Sequence, residues 1–70
     1  MQLNNYGPMA ETLKRITAYQ QVGCQHEPGY GQDYYRITVK EGSTTLSDVF
    51  NIQNDGQLND AINKLYLRAL

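Results

Sequence analysis

Seventy residues carry six basic and seven acidic side chains, a formal charge of −1. A chain of this length closes one small core, and its near-neutral charge excludes a strongly basic nucleic-acid binder and an acidic DNA mimic. Cys24 is the only cysteine, which excludes an internal disulfide and suits a reducing compartment such as the cytosol.

The first residues, Met1 to Pro8, lack the basic start and apolar run of a secretory signal. No stretch is long and apolar enough to span a bilayer. The expectation is one domain, residues 1–70, in the cytoplasm, with no membrane contact. Residues 1–6 read as a lead-in or a short edge strand. A helix is predicted near residues 8–22, with Pro8 at its first position and Gly7 as cap. Met9, Leu13, Ile16 and Tyr19 or Gln20 fall at helical spacing, Lys14 and Arg15 face solvent, and Gly23 is placed to end the helix in a left-handed conformation. Residues 24–32 read as a loop, punctuated by Pro28-Gly29 and Gly31.

Residues 33–41 alternate as a strand, with Tyr35, Ile37 and Val39 on one face and Tyr34, Arg36, Thr38 and Lys40 on the other. A tight turn at Glu41-Gly42, with positive φ at Gly42, leads into a return strand over 44–52. That turn sets Val39 against Thr44, Ile37 against Leu46 and Tyr35 against Asp48. Leu46, Phe50 and Ile52 then face the core, but so does the Asp48 carboxylate, which is costly without a partner. Either a bulge at Ser47-Asp48 turns Asp48 out and Val49 in, or an ion pair to Arg36 or Lys40 offsets the cost. The alternation does not choose between them.

Leu58, Ala61, Ile62, Leu65, Tyr66 and Ala69 mark a final helix with one buried stripe. Asn54 caps it and Gln57 completes a capping box, while Asp60 and Lys64 pair one turn apart. The predicted fold is therefore α+β: a small α-β-β-α domain with both helices on one face of an antiparallel hairpin. Two strands make a marginal sheet. A third strand from residues 2–6 or 24–32, or pairing with a second copy, would complete it.

Cys24, His26 and Glu27 form a cluster of metal-binding side-chain types in a loop, but a structural zinc site takes four ligands and the chain has no second Cys or His. A site shared between two chains is the one way to complete it. As a nucleophile and base, Cys24 and His26 lack an orienting group. The glycines at 23, 29 and 31 match no phosphate-binding pattern. No catalytic residue, metal or cofactor is assigned, and the chain is expected not to be an enzyme.

Six tyrosines stand against one Phe and no Trp. Tyrosine combines apolar area with a polar tip and is enriched at binding surfaces. The candidate partner-binding residues are therefore Tyr34, Arg36, Thr38 and Lys40, with Tyr30 from the preceding loop. A protein partner is expected. Nucleic acid stacked on the tyrosines is the alternative, and a homodimer through the hairpin edge is a third arrangement. Leu67 and Leu70 add an apolar patch on the far side of the last helix.

In layout the chain resembles the double-stranded-RNA-binding domain, through Gly7-Pro8 before the first helix, Tyr30 after it and the closing Arg68-Ala69-Leu70. That family places a lysine-rich motif at the start of its last helix, where this chain has Asn54-Asp55-Gly56-Gln57. The resemblance therefore implies a fold without implying RNA binding. In size and in its Asn/Gln/Tyr-rich composition the whole chain also resembles the small inhibitors that phages encode against host machinery, the anti-CRISPR type among them. That second resemblance rests on no motif, and it implies an inhibitor that occludes a host protein complex.

Overall fold

A computed structural model describes residues 10–69. Its elements run α1 (Ala10–Gln20), β1 (Gly23–His26), β2 (Tyr34–Glu41), β3 (Thr44–Asn51) and α2 (Asp55–Ala69). The three strands form one antiparallel sheet in the order β1-β2-β3. The architecture is α+β, as the sequence indicates, with a third strand drawn from the segment read as a loop. The expectations for Gly7, Pro8, Met9, the lead-in strand at residues 2–6 and Leu70 lie outside the described residues, as does the Lys14 side chain.

The first helix stops earlier than expected. Gln21, not Gly23, takes the left-handed conformation, at φ 57°. The Val22 amide then donates to the Thr17 carbonyl at 3.1 Å, the bond from the second residue past the cap back to the last turn that marks a Schellman ending. Gly23 opens β1 instead. A Cβ there would lie 3.3 Å from the Thr38 Cβ on the neighbouring strand, so the bare backbone allows the close pairing of Gly23 with Thr38.

The hairpin keeps the predicted faces but not the predicted register. The turn is Gly42-Ser43, with Glu41 opposite Thr44, Val39 opposite Leu46, Ile37 opposite Asp48 and Tyr35 opposite Phe50. Gly42 has φ 62°, as expected, but as the first central residue, where glycine suits a hairpin turn. The pairing is shifted by two residues, which leaves every side chain on its face. The ladder runs unbroken from Tyr34–Asn51 to Glu41–Thr44, so there is no bulge and Val49 does not turn inward.

At α2 the Asn54 side chain accepts from the Gln57 amide at 2.9 Å. The Gln57 side chain reaches back one residue further than in a standard capping box, accepting from the Gln53 amide at 2.6 Å. From this start α2 lays Leu58, Ala61, Ile62 and Leu65 onto Tyr35, Ile37, Val39 and Ile52, while Leu13 of α1 and Val22 and Cys24 close the β1 side. Both helices thus cover the Tyr35 face of the sheet.

Leu65 is fully buried. Replacing it with alanine is expected to cost about 2–5 kcal/mol, out of roughly 4–10 kcal/mol for a protein of this length. Leu67, 69% exposed, should tolerate alanine within about 0.5 kcal/mol. Urea unfolding midpoints of the two variants measure the contrast.

Candidate functional site

Strand periodicity decides what the uncovered face displays. Tyr35, Ile37 and Val39 are buried, so Tyr34, Arg36, Thr38 and Lys40 project from the other side of β2. The register adds Gln25 of β1 and Thr45, Ser47, Val49 and Asn51 of β3 to the same side. No described helix lies on this face, and among the described residues the loop at 27–31 packs against its Tyr34 end. The candidate residues Tyr34, Arg36, Thr38 and Lys40 are therefore together, as their alternation requires.

Internal contacts fix several of these side chains. Arg36 Nε donates to Glu27 Oε2 at 3.1 Å, an ion pair whose Glu27 side chain is only 22% exposed. Thr38 Oγ1 donates to Ser47 Oγ across the strands at 3.2 Å. Lys40 stands exposed near the turn. At the opposite end Tyr34 and Tyr30 stack, with ring centroids 6.4 Å apart and 25° between planes. The loop is built to permit this. Tyr30 donates its amide to Glu27 across the Pro28-Gly29 turn at 3.0 Å, and Tyr34 donates to the Gly31 carbonyl at 3.2 Å. A Cβ at Gly31 would fall 2.6 Å from the Tyr34 ring, so glycine is what lets the ring lie against the loop. Tyr30, 61% exposed, thus extends the face as an aromatic lip.

The cysteine and histidine face the other way. Cys24 is buried in the core, and desolvation pushes its thiol up to about 12, away from the nucleophilic thiolate near neutral pH. His26 lies on Tyr35 at 4.9 Å between ring centroids. Its Nε2 donates to the Gln32 carbonyl at 2.7 Å, which occupies one of the two nitrogens a metal would use. Among the described residues no three His, Cys, Asp or Glu side chains gather to hold a metal.

Asp48 does stay on the helix-covered side, opposite Ile37. The predicted partners, Arg36 or Lys40, are replaced by Arg68 of α2, whose Nη1 donates to Asp48 Oδ2 at 2.9 Å. Arg36 lies on the other face and Lys40 at the far end of the strand. The position is tolerable because β3 is an outer strand and the carboxylate reaches solvent at its margin. The hydrogen bond from Arg68, and then that from the Val49 amide, hold the Asp48 carboxyl below its ordinary range. No sequence spacing signals Arg68, twenty residues away.

Among the described residues, two open grooves flank the helices. One, of about 460 Å³, is lined by Arg15, Ile16, Tyr19, Asp55 and Asn59. The other, of about 260 Å³, lies between α2 and the end of β3, beside Phe50, Asp60 and Lys64.

Two measurements follow from these environments. A thiol-specific reagent should label Cys24 only as fast as the fold opens, so denaturant should accelerate the reaction in step with global unfolding. The Asp48–Arg68 pair should stabilise the fold above the ordinary Asp value of 3.8, with that contribution lost as pH falls through the lower folded-state value. Both side chains are about half exposed, 47% and 53%, so its worth is a few tenths to about 1 kcal/mol. Arg68→Ala should accordingly be less stable than the parent near neutral pH and converge with it in strong acid.

Comparison with protein-family models, with curated proteins and with solved structures finds no match to this chain.

Proposed function

We propose that this chain is a non-catalytic protein-binding domain that engages its partner through the sheet face opposite the helices, with Tyr34, Arg36, Thr38 and Tyr30 at the contact and Lys40 on its rim. The observation that carries this reading is the preset state of that face. Tyr34 is packed on Gly31, Arg36 is held by Glu27 and Thr38 is bonded to Ser47, all before any partner arrives. Side chains fixed in this way lose little entropy on binding. Tyrosine and arginine are also the residues that dominate measured interface energies. The role we attach to it is that of a small inhibitor occluding a host protein complex, of the phage or mobile-element type. Support for that role is the resemblance in size and composition.

The stacked Tyr30–Tyr34 pair favours a second reading, a platform for single-stranded nucleic acid. Charge argues against it. Arg15, Arg36 and Arg68 each lie within ion-pair distance of a carboxylate, at 3.8, 3.1 and 2.9 Å. Cations already matched release few counterions on phosphate.

A photo-crosslinking side chain at Thr38, compared with one at exposed Asn63 on α2, tests the proposal in lysate of the source cell. Discrete protein adducts are expected from position 38 and none from position 63. The Tyr34→Ala/Arg36→Ala double variant should weaken capture of the same protein by roughly tenfold or more. Adducts that vanish with nuclease and form only at low salt would favour the second reading. Equal labelling from both positions would remove the sheet face as the site.

A further inference from the structure

Among the described residues the sheet has two outer strands of unequal length, four residues in β1 and eight in β3. A long outer strand is a template for pairing with another chain, and proteins blunt it with lysine, proline, bulges or inward-pointing charges. β3 reads Thr44-Thr45-Leu46-Ser47-Asp48-Val49-Phe50-Asn51 and has no lysine, no proline and no bulge. The hydrogen-bonding phase of the ladder shows which of its groups face outward. Ile52 donates to the Asp33 carbonyl at 2.8 Å, so 33–52 is a hydrogen-bonded pair. Stepping by two, the bonded pairs include 35–50, 37–48 and 39–46. The amides and carbonyls of Thr45, Ser47, Val49 and Asn51 therefore point away from β2, at the open edge. Among the described residues no backbone group pairs with them.

One of these four amides is taken by a side chain. Val49 N donates to Asp48 Oδ1 at 2.8 Å. The same carboxylate is gripped at its other oxygen by Arg68 Nη1 at 2.9 Å. We infer that Asp48, clamped by Arg68, is an edge guard: its carboxylate occupies one of the two middle outward donors of β3 and places a charge where an added strand would lie, so that a second copy of this chain cannot pair through β3. This assigns a purpose to a carboxylate that burial preferences alone would exclude from the helix-covered face. It is independent of the proposal for the sheet face, which lies on the other side of the strand.

The test is self-association measured by sedimentation on purified protein over a concentration series, with circular dichroism reporting the fold. Asp48→Thr removes the acceptor and the charge and suits a strand. Relative to the parent, its self-association should tighten by roughly tenfold or more. Asp48→Asn, which keeps an amide oxygen for Val49 but loses the charge, should fall between the two. Adding Ser47→Lys to Asp48→Thr puts a charge back on the same edge and should return the protein to the parent's behaviour. Folded Asp48→Thr that associates no more than the parent would overturn the inference. So would a parent that already dimerises through β3. Loss of the folded state in Asp48→Thr, with Asp48→Asn no more associating than the parent, would overturn it too, since Asp48 would then be a determinant of the fold rather than of its edge.

Discussion

Burial of one face of β2 is the constraint from which the rest of the structure follows. β2 is the central strand, bonded on both sides, and Tyr35, Ile37 and Val39 are each no more than 1% exposed beneath the helices. A strand alternates with a period of two, so committing these three residues to the core forces Tyr34, Arg36, Thr38 and Lys40 to the opposite side. A slip of one residue would exchange the two sets, placing a guanidinium in the core and three large apolar side chains in water. The face opposite the helices is in this sense the complement of the core.

α2 is the element that makes such a core sufficient. Its buried stripe of Leu58, Ala61, Ile62 and Leu65 meets both β2 and β3, and its N-terminus is held by Asn54 and Gln57. The C-terminal end does a different job. Arg68 sits in the last turn, where a cation is favourable with the helix dipole. From there it reaches the one carboxylate that β3 presents on the helix side. One helix thus supplies the apolar cover in its middle and the matching charge at its end, and Asp48 sits where the cover runs out.

What could be read from the residues divides along physical lines. The α2 stripe and the faces of β2 were legible because many residues repeat one period. The hairpin register was not, since a shift of two residues preserves every face and only the turn distinguishes the alternatives. Gly42 was recognisable as a positive-φ residue, but its place as first rather than second central residue was not. β1 was foreseen only as one of two possible sources of a third strand, because Gly23-Cys24-Gln25-His26 contains no β-branched or large aromatic residue and buries only Cys24. Its place in the sheet comes from pairing with β2, not from its own propensity. The end of α1 was misplaced for a related reason. Gly23 is the better left-handed residue in isolation, but its lack of a side chain is needed against Thr38, so Gln21 takes the strained position. Of the site, Tyr34, Arg36, Thr38 and Lys40 were visible in the alternation, whereas Glu27, Gly31 and Arg68, which hold or make room for the key side chains, act through contacts that only the folded chain creates.

A small sheet covered on one side can associate in two ways, by its open face or by its outer strand, and the two differ in selectivity. Backbone pairing at an edge is generic, because any extended segment offers the same amides and carbonyls. A face recognises side chains, and here it carries matched charge, fixed hydroxyls and two stacked rings, features that discriminate among partners. Under the proposed function, an open edge would compete with the face for every unpaired strand in the surroundings. Closing the edge with Asp48 while keeping the described helices off the face resolves that competition within the fold. A side-chain acceptor for the Val49 amide also satisfies the donor without lengthening the sheet.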